Sequence, residues 1–351
     1  MSLPPIGRRA FVAEAAGGLL LCTLAGKQFS ANEEVPVEAL NEGLEVPPKV
    51  AAARANGGVA PGSETVLAAA TTSANEYWIK AEEMRWNIVP KGRDEMMGVA
   101  VKGKTTFKAW GYRAYSPNFA KPLGPATVPG PLLEANVGET VTVHFRNKLK
   151  TPVTMHPHGL QYSVDMDGAY KGKYTDPGGF VQRGDDVTYV WEAIPSSEGA
   201  WFYHDHGPSE PLPVYKGLFG PILVRDPAKP RPDKEFFVGF HSFQPAATGL
   251  NRPFYCINGR AYAGNTPTLR AKVGEDVAFY VYAIDDYFHT FHIHGHRWVP
   301  PAGGPTIDNF TLGPADISTA RFTEDNPGRW LYHCHVWSHI VQGMSGWYIV
   351  E

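Results

Sequence analysis

The sequence predicts an all-β chain built from two similar β-sandwich domains. Three observations carry this. The 351 residues include 37 glycines and 31 prolines. They punctuate many short runs rich in Val, Tyr, Phe and Thr, as short strands joined by turns require. Then the text repeats itself: Pro131–Glu139, Pro152–Gly159 and Gly199–His206 are echoed by Pro267–Glu275, His289–Gly295 and Gly328–His335. Finally, no segment holds the ~20 consecutive apolar residues of a membrane span. Duplication with strand-like text points to tandem sandwiches.

Taken in order, residues 1–26 read as a twin-arginine export signal. Arg8 and Arg9 precede a short apolar stretch, Ala15 to Ala25, and Thr23-Leu24-Ala25 suits cleavage. The expected location is therefore periplasmic or extracellular. Residues 27–75 are rich in Ala, Glu, Pro and Gly and read as a linker or loosely ordered arm. Strand text opens at Glu76 and the first block, 76–226, closes on Gly220–Val224. Pro227, Pro230 and Pro232 among charges mark a linker at 227–235, and the second block fills 236–351.

A net charge of −3 offers no basic footprint for nucleic acid. Of the three cysteines, Cys22 leaves with the signal, and if Cys334 binds metal then Cys256 has no partner in the chain, so no disulfide framework is expected.

Eight of the 13 histidines form four His-x-His pairs, two in each block: His156/His158, His204/His206, His292/His294 and His333/His335. On a strand, residues i and i+2 share a face, so each pair offers two imidazoles to one side. A lone histidine is usually structural. Four such pairs in strand context point to copper, zinc or iron. The same parity turns Cys334 away from its neighbours, and the odd step from His289 to His292 does likewise. His339 and Met344 follow Cys334 closely enough for a loop to return them. Two histidines, a thiolate and a thioether make the ligand set of a blue-copper electron-transfer centre. Two metal sites then share one strand.

His156-Pro-His-Gly159, Tyr203-His-Asp-His206, His289 to His296 and His333 to Met344 match, in order, the four copper motifs of the multicopper oxidases. Over about residues 76–351 the chain resembles the two-domain members called small laccases, with ceruloplasmin-like text at Ile257–Arg260 and Gly328–His335. The resemblance implies cupredoxin-like Greek-key domains and four coppers. Type 1 copper would take His289, Cys334, His339 and Met344; type 2 would take His156 and His292. One type 3 ion would take His158, His204 and His335, the other His206, His294 and His333. His144, His241 and His296 remain as structural or supporting residues. In the first block Val153 replaces His289, Asp205 replaces Cys334, and by spacing Glu210 and Tyr215 replace His339 and Met344, so type 1 copper is expected only in the second domain. The resemblance also implies a homotrimer with the three-copper cluster between subunits; the sequence alone allows an intrachain cluster equally.

The implied reaction is laccase-type: one-electron oxidation of phenols or aromatic amines coupled to four-electron reduction of dioxygen to water. The alternative is a metallo-oxidase such as a ferroxidase. Asp167 matches the acid that small laccases place near the cluster and Tyr162 their tyrosine, while Gln161 departs from the acidic residue often found there. Asp167-Gly168 also suits an ordinary turn and Tyr162 an ordinary strand. Met344 as axial ligand implies a moderate type 1 potential. Asp285 and Asp286 read as solvated turn residues rather than as a cation site. A cuprous oxidase is disfavoured because no methionine-rich segment interrupts the second domain. A copper nitrite reductase needs its cysteine ligand in the first domain, and a simple electron carrier has no use for eight further histidines.

Overall fold

The computed structural model describes residues 74–173 and 178–351, with the backbone of Glu14–Ala16, Leu19–Leu24 and Lys27–Ser30. These three short segments form a separate antiparallel sheet. Arg8, Arg9 and positions 31–73 of the expected arm lie outside the described residues. No helix among the described residues is long and apolar enough to cross a membrane.

The first block stacks two sheets. One runs β6–β4–β1–β2, with β1 Ala74–Asn87, β2 Thr106–Tyr115, β4 Thr140–Asn147 and β6 Asp186–Glu192. The other runs β5–β7–β8–β3, with β3 Leu133–Asn136, β5 His156–Pro157, β7 Gly199–His204 and β8 Phe219–Arg225. The second block repeats the plan. One sheet runs β15–β12–β9–β10, with β9 Lys234–Phe243, β10 Phe254–Ile257, β12 Asp276–Ala283 and β15 Ile317–Thr323. Its partner runs β11–β17–β16–β13–β14, with β11 Leu269–Ala271, β13 His289–Ile293, β14 Asn309–Leu312, β16 Gly328–Cys334 and β17 Ser345–Val350.

Strand directions repeat as well. β1 lies parallel to β4 as β9 does to β12, and β3 parallel to β8 as β11 does to β17. The expected pair of cupredoxin-like sandwiches is what the chain forms. The sequence drives it by alternation: in β4, Val141, Val143 and Phe145 turn inward between partly exposed Thr140, Thr142, His144 and Arg146. β8 is covered on both faces and is apolar from Phe219 to Val224 apart from Gly220 and Pro221.

Each sandwich has its own core, and a third joins them: Trp86, Phe107, Val128, Phe202 and Phe219 from the first block pack with Phe243, Phe254, Tyr262, Tyr282 and Ile284 from the second. The Ile257–Arg260 turn closes this seam. Trp86 Nε1 donates to the Gly259 carbonyl (2.6 Å), and the Arg260 guanidinium lies 3.7 Å from the Trp86 ring centroid while donating to the Asn87 carbonyl. The Gly259 N–H donates to buried His241 Nε2 (2.9 Å). Gly259 has φ +76°, and a Cβ there would sit 2.3 Å from the Val128 carbonyl oxygen. Backbone chirality and space both exclude a side chain.

Gly259→Ala is therefore expected to cost about 2–3 kcal/mol in urea unfolding. His241, pushed down to about 3 by burial, is neutral in the folded chain and gains its proton near pH 6.5 once unfolded. Its contribution to stability is full above pH 6.5 and declines as pH falls towards 3. His241→Gln keeps an acceptor for Gly259 and cannot titrate, so the variant should gain on the parent by up to about 1.4 kcal/mol per pH unit across that window, read by urea unfolding at stepped pH.

Candidate metal centres

β16 carries the chemistry. His333 and Cys334 are its last two residues, and His335 follows. On β13, inward His289, Phe291 and Ile293 alternate with half-exposed Thr290 and His292, so His289 and His292 face opposite ways.

On the inner face, Cys334 Sγ lies 3.8 Å from His289 Nδ1 and 3.6 Å from His339 Nδ1. His289, Cys334, His339 and Met344 are all buried. The helical turn α1, Trp337–Val341, brings His339 back. Met344 N–H then donates to the His339 carbonyl (3.0 Å), and Cys334 N–H to the Met344 carbonyl (3.1 Å). Thr290 N–H points at Cys334 Sγ (3.4 Å). Tyr255 stacks on His339 at 4.0 Å between centroids, with Tyr287 at 5.9 Å. The three nitrogen and sulfur donors fall in one group that suits a metal ion.

The other eight histidines form two sets of four. In the first block, His156 centres 5.1–5.5 Å from His158, His204 and His206, and Nε2 of His158 and His204 approach to 3.1 Å. In the second, His292 lies 5.2–5.6 Å from His294, His333 and His335, and Nε2 of His294 and His333 approach to 3.1 Å. No described hydrogen bond or ring contact joins one set to the other.

Each set is held from behind. Nδ1 of His156, His204, His292 and His333 bonds to the carbonyls of Asp167, Asp205, Asp308 and Cys334 at 2.7–2.8 Å. A carbonyl only accepts, so each ring carries its hydrogen on Nδ1 and offers the Nε2 lone pair inward. Burial pushes His158 and His333 down to about 4 and lowers His156, His204 and His294, keeping these rings in the neutral form that ligates metals.

Asp167 reaches His156 Nδ1 with its carboxylate as well (3.0 Å) and pairs with Lys171 (2.5 Å); Tyr162 lies 5.9 Å from the His156 ring. Among the remaining histidines, His144 bonds Glu76 and Thr188, His241 closes the seam and His296 bonds Glu324.

The first block shows what replaces the thiolate. Thr154 N–H donates to Asp205 Oδ1 (2.7 Å), as Thr290 N–H does to Cys334. Asp205 also accepts from Gly207 N–H, and burial pushes its carboxyl up to about 7. Val153 packs in the first core. Glu210 and Tyr215 have turned elsewhere: Glu210 bonds His206 Nδ1 (2.8 Å), and the Tyr215 hydroxyl donates to Asp286 (2.6 Å).

One reading from sequence needs correction. Asp285 is no solvated turn residue: it is buried, bonding His289 Nε2 (2.9 Å) and accepting from Tyr287 N–H (3.1 Å). Burial alone would lower the His289 pKa; the bonds to Asp285 and Cys334 prevail and raise it to about 9. Asp286, through Tyr215, ties the two blocks together. Sequence reasoning also missed Glu210 and Asp308 as partners of ring nitrogens. The two sandwiches share the device, since the Asp308 carbonyl does for His292 what that of Asp167 does for His156, but the spacing from the histidine differs and hides it in the sequence.

Multicopper oxidase families match residues 125–229 and 237–351. This chain belongs to the multicopper oxidases. Among curated relatives, a "Probable nitrite reductase-hydroxylamine oxidoreductase fusion protein" of Kuenenia stuttgartiensis is 33% identical over 262 residues, covering 70% of this chain and 29% of its own. "Ferroxidase HEPHL1" of Mus musculus is 26% identical over 343 residues, covering 78% and 29%. The chain thus spans less than a third of either relative. A solved multicopper oxidase superposes with TM-score 0.64 at 23% identity, over 79% of this chain and 89% of the other, a likeness of fold.

In this multicopper oxidase, Glu210→Ala releases the His206 ring. The expected loss of copper affinity in the histidine sets is about 10- to 100-fold, measured by competition with a chelator.

Proposed function

We propose that the chain is a copper-dependent oxidase. It takes single electrons from a phenolic or aromatic amine donor and, with four protons, reduces dioxygen to two waters. The observation that carries the reading is the double use of β16: a buried Cys–His–His group on one face and paired histidines on the other, joined by the peptide units of His333, Cys334 and His335. Bound copper would supply one-electron chemistry at Cys334 and dioxygen reduction among the eight histidines.

The chain's own residues have these roles. His289, Cys334, His339 and Met344 would hold a type 1 ion. His156 and His292 would hold type 2, with His158, His204, His335 and His206, His294, His333 on the type 3 pair. The bond from His333 Nδ1 to the Cys334 carbonyl (2.8 Å) shortens the route between the two faces. Asp167 fixes His156 and supplies an acid beside it, with Tyr162 as neighbour. The aromatic surround of His339, Tyr255 and Tyr287, favours an aromatic donor. A second reading, a ferroxidase, draws on the exposed Asp286 near His289 and on similarity to a named ferroxidase.

Among the described residues no hydrogen bond or ring contact joins the two sets of four histidines, and on that we place the cluster between subunits of a homotrimer, with the first block of one copy meeting the second block of the next. Export to the periplasm or beyond, on the twin-arginine reading of residues 1–26, suits such an oxidase.

Oxygen uptake by one copper-loaded sample with a phenol, Fe(II) and Cu(I) in turn tests the donor; uptake with none of them refutes the oxidase. Cys334→Ser should abolish blue colour and turnover while the histidines still load copper, and surviving turnover would contradict the assignment. Co-expressing a subunit crippled at His156 and His158 with one crippled at His292 and His294 should restore about a quarter of the clusters if these form between copies, and none if they form within one.

A further inference from the structure

The duplicated fold contains its own control. His158 N–H bonds the Phe202 carbonyl and His294 N–H the Leu331 carbonyl, both at 2.9 Å, which equates Leu160 with His296. Gly138 N–H bonds the Ala193 carbonyl and Gly274 N–H the Glu324 carbonyl, which equates Ala193 with Glu324. Ile222 pairs with Leu133 as Tyr348 does with Leu269, which equates Ile222 with Tyr348. Three positions that are buried and apolar in the first sandwich are thus a buried His–Glu–Tyr set in the second.

The set is fully connected. His296 Nδ1 donates to the His294 carbonyl (2.7 Å), and its Nε2 bonds Glu324 Oε1 (2.9 Å). Glu324 Oε2 accepts from the Tyr348 hydroxyl, and Oε1 accepts from Asn326 N–H (3.1 Å). Asn326 Nδ2 returns to the Gly295 carbonyl (3.1 Å). Two bonds therefore end on the turn that carries His294. Burying ionisable groups is costly even when they are paired, and an apolar set fills the same places in the sister domain. The first sandwich is built without such a polar set. In the second, the set acts on one turn.

We propose that His296, Glu324 and Tyr348 are positioning residues that hold the 294–296 turn so that the exposed His294 presents Nε2 to the metal cluster. The copper part of this rests on the function proposed above; the fixing of the turn does not.

The test swaps in the first block's solution, His296→Leu with Glu324→Ala and Tyr348→Ile. In the metal-free protein, hydrogen exchange at the His294 amide, bonded to the Leu331 carbonyl, should quicken at least about tenfold while amides of β12 are unchanged. In the copper-loaded protein, cluster affinity should fall about 10- to 100-fold with the blue thiolate band retained. Unchanged exchange at the His294 amide in this variant overturns the proposal. So does unchanged cluster affinity, provided the parent loads copper at its histidines; a parent that loads none refutes the oxidase reading instead and leaves the exchange result to decide. Should the triple variant fail to fold, Glu324→Gln serves. It keeps the volume and weakens the bond to His296, and a smaller change of the same kinds is expected; none overturns the proposal.

Discussion

The geometry of one extended strand governs the rest of the molecule. Successive side chains in β16 must leave by opposite faces, so His333, Cys334 and His335 cannot serve a single site. The thiol is committed to the interior, and the two imidazoles to the other side. Everything near it follows from that division. α1 and the stretch to Met344 fold back over the inner face, locked by the Cys334–Met344 and Met344–His339 backbone bonds. The histidines of β13 obey the same parity, with His289 inward and His292 outward.

Duplication shows how little separates a metal-binding interior from an ordinary one. The Thr154 and Thr290 amides hold the same post in the two sandwiches, one donating to a carboxylate and the other to a thiol. The hydroxyls of the same threonines accept from His206 and His335 N–H, so the scaffold behind the outward histidines is preserved while the inner face changes its chemistry. The first block kept its outward pair and gave up the inward donor set. Glu210, released from that inner role, braces His206.

Much of this was legible in the text because the signals are local. Alternation fixes which side chains share a face, and repeated motifs reveal the duplication without any knowledge of packing. The linker expected at 227–235 falls between β8 and β9, although β9 begins at Lys234. What escaped depends on contacts across long stretches of chain. Asp285 looks like a loop residue beside Asp286, yet its partner ring is sealed within the core. Nothing near Tyr215 signals that its hydroxyl crosses to Asp286, 71 residues away. Ile257–Arg260 stood out as family-like text, but its task of gripping Trp86 emerges only when the domains meet.

That grip has a thermodynamic side. The third core draws its aromatic rings from both sandwiches, and Trp86, Phe202 and Tyr282 would face water if either half came apart. Each sandwich then relies on the other for part of its apolar cover. Loss of one strips that cover from the other, so the two halves are expected to melt together. The strand that separates two chemistries sits in a body that does not come apart along its own repeat.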